Sequence, residues 1–206
     1  MEDIISRKGE QSRTLIIAEA TQVFSLKGFH ATSVDEIARN VGMTKGAIYS
    51  HFDSKEGLCY AVLEKAGKMI QDKVGPFVAG ETHACDKLLA MIRGHRSYAE
   101  DRIFQGGCLI LNMSVEMDDM NEGLKEDLAD RIRSWRQWII RIVEEGKKRM
   151  EVRDEVDSDE LATLIISTIM GAMAQFKMFS DLIFYDQTYT FFQRYLDLEV
   201  RAHDMK

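Results

Sequence analysis

The chain has 206 residues, of which 45% are hydrophobic and 30% are charged, and its formal net charge is −7 at pH 7. A chain of this length can bury a hydrophobic core that is stable without disulfide bonds or bound metal ions. Its one proline and 14 glycines exclude collagen-like or low-complexity structure. The negative charge argues against a uniformly basic nucleic-acid coat protein, although a local DNA-binding surface stays possible.

The three cysteines, Cys59, Cys85 and Cys108, are far apart in the sequence, and none lies in a CxxC pair. Such an odd set predicts neither a disulfide framework nor a zinc site. The first ten residues contain no secretory apolar segment, and the apolar runs are shorter than the roughly 18 residues that cross a membrane. We therefore expect a protein of the reducing cytoplasm that does not contact a membrane.

Helical periodicity without strand patterns predicts an all-α fold of about nine helices. The first helix is expected over about 12–27, and Gly28 is placed to end it. Ser33 lies three residues before Glu36, and this spacing predicts a capping box at the start of the second helix.

Gly42 permits the sharp turn that follows the second helix. Thr44 is expected to cap a short third helix that runs through Phe52, and Ser54 a fourth that runs to about residue 73. Gly75–Pro76 is the clearest predicted break in the chain. The later helices are expected at about 84–100, from about 108, and at 122–150, 158–179 and 187–203.

The segment 33–52 has the layout of a helix-turn-helix motif, whose second helix enters the DNA major groove. Small and apolar side chains are expected to lock the two helices together, namely Ile37, Ala38, Val41 and Ile48. The exposed face of the second helix would then present short polar, basic and aromatic groups that suit phosphate and base contacts. A glycine-linked helix pair also occurs in many all-α proteins for packing alone.

A longer string surrounds this motif. It reads ATQVF at 20–24, KGFHATSV at 27–34, IA at 37–38, VGMTKGAIYSHF at 41–52 and SKEGL at 54–58. In this order and spacing, residues 11–65 resemble the N-terminal DNA-binding domain of TetR-family transcriptional repressors. The resemblance implies a three-helix DNA-binding domain at 1–54, a linking helix at 54–73, and a helical domain at 76–206 that binds a small molecule and dimerises.

The resemblance also implies DNA contacts at particular positions. Thr32 and Ser33 are expected to contact phosphate at the start of the second helix, and Lys55 at the start of the fourth, where backbone N–H groups add positive potential. The recognition helix is expected to contact DNA through Thr44, Lys45, Gly46, Tyr49 and His51, with Ala47 and Ser50 as further base-reading positions. The structural alternatives are a core role for Tyr49, a helix-end role for His51 and solvated charge for the lysines.

The last two helices, at about 158–180 and 187–203, resemble the pair that forms a four-helix bundle between subunits in this family. The expected homodimer interface consists of Leu161, Ile165, Ile169, Ala172, Phe191 and Tyr195. The same apolar stripes are also compatible with the core of one subunit. A two-fold dimer predicts a palindromic double-stranded DNA operator whose half-site centres are about one helical turn, or a small multiple of it, apart.

Twelve methionines and two nearby tryptophans suggest an adaptable pocket for a largely apolar small-molecule effector. The expected lining is Cys108, Met113, Met117, Trp135, Trp138, Met173 and Phe176. Ordinary core packing is the alternative interpretation of each of these side chains.

Cys108 carries a second functional hypothesis. The segment GGCL at 106–109, followed by Ser114 and Glu116, resembles a TetR subgroup in which some members sense electrophiles or oxidants through the cysteine. A thiol at a helix N-terminus has a lowered pKa and is more reactive. The opposing interpretation is that Cys108 begins an apolar run and is buried and inert.

Motifs of common enzymes are missing from the sequence, among them GxSxG, GxGxxG, the P-loop and HExxH. We expect no enzymatic activity, no cofactor and no metal site. The sequence therefore predicts a ligand-responsive DNA-binding repressor. A helical ligand-binding module without DNA function is the alternative from another class, and it would require the 44–51 surface to have no role.

Overall fold

The computed structural model describes residues 2–104, 106–116 and 121–202, and of residues 2–6 only the backbone. Within these residues the fold is all-α, which confirms the predicted class. The helices are α1 (Glu2–Lys27), α2 (Val34–Asn40), α3 (Lys45–Tyr49), α4 (Lys55–Ala79), α5 (Ala84–Glu100), α6 (Leu109–Glu116), α7 (Glu122–Lys148), α8 (Ser158–Phe179) and α9 (Ile183–Tyr195). A π-helical turn, Leu196–Val200, follows α9.

The chain divides into two compact units. Unit 1 comprises Met1–Lys68 and Phe104–Leu128, and unit 2 comprises Met69–Ile103 and Ala129–Lys206. Helices α4 and α7 each contribute residues to both units.

The core of unit 1 is built on α1. This helix buries one apolar face, which consists of Ile16, Ala20, Val23 and Phe24. The helix begins ten residues earlier than expected, because its first turns carry few apolar residues and gave no periodic signal. Phe24 also meets Phe29 edge-on, with ring centroids 5.5 Å apart. Aromatic packing therefore joins α1 to the turn that precedes α2.

The core of unit 2 lies where α5, α8 and α9 pack on one another. Its fully buried large side chains include Leu88, Met91, Ile92, Ile165, Ile169, Tyr185 and Phe192. An isolated antiparallel bridge between Val152 and Arg201 joins the segment before α8 to the end of the π-helical turn. Helix α9 begins four residues earlier than expected, and the predicted helix end at His203 lies outside the described residues.

The predicted break at Gly75–Pro76 is wrong, because α4 runs through Pro76 to Ala79. A proline inside a helix loses one backbone hydrogen bond and costs about 3 kcal/mol. Val74 and Val78 on this segment are buried, and burial of each such side chain contributes roughly 1.5–3 kcal/mol. A Cβ at Gly94 of α5 would lie only 3.0 Å from Val74 Cα, so this glycine permits the close approach. Tertiary packing of α4 thus offsets the tendency of Gly75–Pro76 to end a helix.

Helix α8 is, among the described residues, the one helix whose length and composition would allow it to cross a membrane. Of its apolar stretch, 39% is buried inside the protein. Leu161, Ile165 and Ile169 supply that buried side within unit 2. The apolar composition of α8 is therefore accounted for in part by the core of this unit.

Candidate DNA-binding surface

The start of α2 is fixed by its N-cap. The Ser33 hydroxyl oxygen accepts the Glu36 backbone N–H at 3.1 Å, which confirms one half of the predicted capping box. The Glu36 carboxylate forms an ion pair with Lys27 at the end of α1. The first turn of α2 is thus tied both to its own cap and to α1.

The turn between α2 and α3 depends on a glycine conformation. Gly42 has φ +68°, a left-handed value that favours glycine. After it, the Met43 N–H donates to the Ala38 carbonyl at 2.8 Å. Thr44 then caps α3, because its hydroxyl oxygen accepts the Ala47 N–H at 3.2 Å. The predicted helix-turn-helix layout is therefore present in unit 1.

Buried side chains lock the two helices together. They are Ile37 and Ala38 of α2, Ile48 of α3 and Phe52 just after it. Val41, which the sequence also assigned to this lock, is half-buried. Helix α3 ends at Tyr49, three residues before the predicted end, although the Phe52 N–H still donates to the Ile48 carbonyl at 3.1 Å.

The opposite face of α3 is open to solvent. Its exposed residues are Thr44, Lys45, Gly46, Tyr49 and Ser50. Tyr49 is 41% exposed, so the alternative of a core aromatic does not apply to it. Ala47 and His51 are half-buried. Polar, basic and aromatic groups thus lie on one short helix, where a DNA base edge or phosphate has access to them.

Two lysines flank this face in different surroundings. The Lys45 ammonium lies 2.8 Å from an Asp35 carboxylate oxygen, and this hydrogen bond and charge raise the pKa of Lys45. Both side chains are about half exposed, so a phosphate would compete with Asp35 for the ammonium.

Lys55 is the first residue of α4, after Ser54 has capped the helix by accepting the Gly57 N–H at 3.0 Å. Its ammonium lies 4.3 Å from the centre of the Phe29 ring, a cation–π contact. Burial lowers the pKa of Lys55. This lysine is therefore held in place on an aromatic surface.

Thr32 does not fit the phosphate-contact role that the resemblance implies. Its side chain is 2% exposed, and its hydroxyl donates to the Gly28 carbonyl at 2.7 Å. A phosphate has no access to it, because the residue packs inside the turn before α2. Ser33, the neighbouring predicted contact, is exposed.

Two residues that the sequence did not assign lie beside this surface. Phe29 supports Lys55, and the Arg13 guanidinium lies 5.1 Å from the centre of the Phe52 ring. These pairs are separated by 26 and 39 positions, so local spacing gave no signal for them.

The predicted pocket residues are divided between the two units. Cys108 and Met113 belong to unit 1, whereas Trp135, Trp138, Met173 and Phe176 belong to unit 2. Met117 lies outside the described residues.

The pocket residues in the two units have different neighbours. Met113 is buried, with its sulfur 4.0 Å from the Cys59 sulfur. In unit 2, Trp135 stacks on His95 with ring centroids 5.0 Å apart, and its indole N–H points at the Met91 sulfur at 3.3 Å. Burial lowers the pKa of His95 to about 4, and the imidazole is therefore neutral at pH 7.

Cys108 directly precedes α6, as the sequence predicts, and its carbonyl accepts the Asn112 N–H at 3.0 Å. Burial raises the pKa of the Cys108 thiol, and this effect exceeds the opposing contribution of the Leu111 and Ile110 backbone N–H groups. The expected reactive thiolate is therefore disfavoured, and the oxidant-sensing alternative is not favoured.

Four of the six predicted dimer-interface residues lie in the core of unit 2 instead. Leu161, Ile165, Ile169 and Ala172 are at most 2% exposed within a single chain. They have almost no surface left for a partner, because this face of α8 packs inside its own subunit. Phe191 is 52% exposed and stacks on the half-buried Tyr195 at 6.1 Å, so these two remain predictions.

Two family models match the chain. One, described as bacterial regulatory proteins of the tetR family, matches residues 16–62 and so includes α2 and α3. The other, described as a tetracyclin repressor-like C-terminal domain, matches residues 84–192, which is more than half of the chain.

The chain belongs to the TetR family. It is a helix-turn-helix transcriptional regulator, and its resemblance at residues 11–65 is confirmed. A crystal structure of a TetR regulator from Chloroflexus aurantiacus superposes with a TM-score of 0.90 at 36% identity, over 96% of this chain and 100% of that one.

Two further proteins are similar to this TetR-family chain, one in sequence and one in fold. The transcriptional repressor DhaR of Mycobacterium sp. strain GP1 is 25% identical over 169 residues, which is 81% of this chain and 82% of DhaR. AibR, solved in complex with isovaleryl coenzyme A and operator DNA, shares the fold with a TM-score of 0.71 at 18% identity, over 87% of this chain and 96% of AibR.

Proposed function

We propose that this chain is a homodimeric cytoplasmic repressor that binds a palindromic operator through α3 and is released by a small, largely apolar molecule. The observation that carries the proposal is the open face of α3. Thr44, Lys45 and Tyr49 are exposed on one side, while Ile48 and Phe52 fix the helix on the other. A short helix of this kind fits the major groove, where base edges are distinguishable.

Phosphate contacts would come from the residues that flank α3. Ser33 is exposed at the start of α2, Lys45 begins α3 and Lys55 begins α4. The protein as a whole carries a formal charge of −7, so general electrostatic attraction to DNA is weak. Affinity would therefore depend on a few placed contacts in each subunit and on two subunits binding together.

A homodimer is supported by the surface of α8 and α9. Both helices carry large apolar side chains that unit 2 does not bury, and these are Leu164, Met178, Phe179, Ile183 and Phe191. Exposed apolar side chains on neighbouring helices are typical of subunit interfaces. This set shares Phe191 with the predicted interface, but on α8 it consists of exposed residues in place of the four buried ones.

Effector binding is proposed for unit 2, where Trp135, His95 and Met91 form a stack of neutral aromatic and sulfur groups. Such groups favour a largely apolar ligand. AibR, which shares the fold, was solved with both a coenzyme A ester and operator DNA. A ligand would weaken DNA binding only by the difference in its affinity for two conformers.

The test is selection of the purified protein on randomised duplex DNA, with Tyr49→Ala and Tyr60→Ala as matched variants. Both tyrosines belong to unit 1 and are similarly exposed, at 41% and 38%, but Tyr60 lies on α4 and not on α3. We expect wild type and Tyr60→Ala to enrich the same palindrome, and Tyr49→Ala to lose it.

Failure of the wild type to enrich any sequence at low salt would contradict the DNA-binding part of the proposal. The helical ligand-binding module would then be the better description. Enrichment of a site without two-fold symmetry would contradict the homodimer but leave the role of α3 intact.

A further inference from the structure

The carboxylate of Glu116 at the end of α6 binds the turn between α1 and α2. The Phe29 backbone N–H donates to Glu116 Oε2 at 2.9 Å, and the His30 N–H donates to Oε1 at 2.6 Å. All three residues belong to unit 1. One carboxylate thus accepts two consecutive backbone N–H groups from residues 86 and 87 positions earlier in the sequence.

The shape of the turn is adapted to this carboxylate. Gly28 ends α1 with φ +85°, and its N–H donates to the Phe24 carbonyl at 2.9 Å. The left-handed φ favours glycine at this position, and a Cβ there would lie 2.6 Å from Glu116 Oε2, so the carboxylate occupies the space beside Gly28 Cα. Hydrogen bonds to an ionised acceptor are stronger than those between neutral groups.

The same turn carries the supports of two proposed phosphate contacts. Phe29, whose N–H binds Glu116, lies with its ring under the Lys55 ammonium at 4.3 Å. Thr32 closes the turn through its bond to Gly28 and directly precedes Ser33, the N-cap of α2. A shift of this turn would therefore displace both Lys55 and the start of α2.

Helix α6 is itself anchored on the end of α1. The Asn112 side-chain amide donates to the carbonyls of Gly106, at 2.9 Å, and Ser25, at 3.3 Å. A Cβ at Gly106 would collide with the Ser25 carbonyl, so the backbones meet directly there. Helix α6, which carries Glu116, is thus held against the end of α1, close to the 28–30 turn that the carboxylate binds.

We propose that Glu116 is a positioning residue for DNA binding: its carboxylate holds the 28–30 turn so that Lys55 and Ser33 face the phosphate backbone. The inference rests on the proposed function. It gives the observed contact between α6 and the 28–30 turn a role in DNA binding, although Glu116 itself contacts no DNA.

The experiment compares Glu116→Ala and Glu116→Gln with Glu122→Ala. Glu122 is an exposed carboxylate on α7 in the same unit, so its removal gives an equal change of charge. Operator affinity is measured by fluorescence anisotropy on the selected operator. We expect Glu116→Ala to weaken binding about tenfold, since two hydrogen bonds to a charged acceptor are lost. Glu116→Gln, which keeps one oxygen acceptor, should fall between, and Glu122→Ala should match wild type.

A second readout is independent of DNA. Hydrogen exchange of the Phe29 and His30 amide signals should be slow in wild type and in Glu122→Ala, and faster in both Glu116 variants, because these two N–H groups lose their carboxylate acceptor. A purely structural loss would instead speed exchange throughout unit 1.

The inference is overturned if Glu116→Ala binds the operator as tightly as Glu122→Ala, or if the Phe29 and His30 amides exchange at the same rate in wild type and in Glu116→Ala. If the wild type binds no operator at all, the proposed function fails together with the positioning role. The amide signals would then show whether the contact exists without serving DNA binding.

Discussion

The α2–α3 region and the α8–α9 pair differ in the kind of surface that they expose. Among residues 33–52, all of which are described, Tyr49 is the one large apolar side chain that is exposed, and its neighbours are polar or basic. The α8–α9 pair exposes Leu164, Met178, Phe179 and Phe191. The first surface suits a hydrated, charged partner, and the second suits an apolar one.

This difference has a measurable consequence. Contacts between lysines and phosphates weaken steeply with salt because counterions are released from DNA. Burial of apolar area between two subunits has little such dependence and is strengthened by excluded salts. Operator binding and subunit association of this chain should therefore respond to salt in different ways.

The largest effect is expected from Phe191→Glu. The carboxylate that replaces this half-exposed ring of α9 would have to be buried in the proposed subunit interface. Burial of a charge without an opposite charge beside it is unfavourable. We expect sedimentation velocity to show monomers. Operator affinity should fall on the order of 100-fold, because a monomer retains a single half-site.

Leu15→Glu is the matched control for this prediction. Leu15 is 49% exposed on α1 in unit 1, close to the 52% of Phe191, so both variants place a carboxylate at a similar apolar position. The control should remain dimeric. A Phe191→Glu protein that sediments as a dimer would show that this face of α9 is not the interface.

The second prediction concerns acid stability of the unit 2 core. Burial lowers the pKa of His95 to about 4, whereas an unfolded histidine titrates near 6.5. The unfolded state therefore binds more protons between these values, and stability is lost as the pH falls from about 6.5 to 4. The loss attributable to His95 is about 3 kcal/mol at pH 4.

Urea unfolding at several pH values tests this prediction. His95→Phe keeps a ring to stack on Trp135 and removes the titrating group, so its stability should fall less between pH 6.5 and 4. His83→Asn is the control, since His83 caps α5 by accepting the Cys85 N–H and asparagine also serves as an N-cap. An acid response of His95→Phe equal to that of wild type would show that His95 does not carry it.

The two regions also differ in how far their structure follows from the sequence. The α2–α3 region is governed by local rules, because Ser33 and Thr44 cap the helices and Gly42 makes the turn. Each of these signals lies within four residues of the group that it fixes, so spacing alone predicted the layout.

Long-range packing accounts for two of the features that were predicted wrongly, the buried stripe of α8 and the continuation of α4 through Pro76. The stripe of α8 that contains Ile165 and Ile169 is apolar in sequence, but periodicity does not tell a subunit core from a subunit interface. Pro76 stays inside α4 because Val74 and Val78 pack in unit 2. These two outcomes depend on contacts between segments that are distant in the sequence. Thr32 differs, because it is buried within the turn that it closes through its bond to Gly28, four residues earlier.

The third prediction compares two lysines of α4. Lys55→Gln should weaken operator binding about tenfold and reduce the slope of log affinity against log salt by about two, because the dimer loses one phosphate contact in each subunit. Lys65→Gln removes the same charge about three turns further along α4 and should change neither quantity. Titrations at four salt concentrations measure both. An unchanged salt slope in Lys55→Gln would contradict its role as a phosphate contact.

The smallest effect is expected from removing one helix cap in each region. Ser33→Ala leaves the Glu36 N–H without its hydroxyl acceptor and should cost about 1 kcal/mol of stability. Asp157 caps α8 in the same way, accepting the Asp159 and Glu160 N–H groups at 2.9 and 3.0 Å. Asp157→Ala should also lower the melting temperature.

Ser33→Ala alone should weaken operator binding, by about threefold, since its hydroxyl lies at a proposed phosphate contact. Equal operator affinity of the two variants would mean that Ser33 serves only as a cap, and the phosphate contacts of this region would then rest on Lys45 and Lys55.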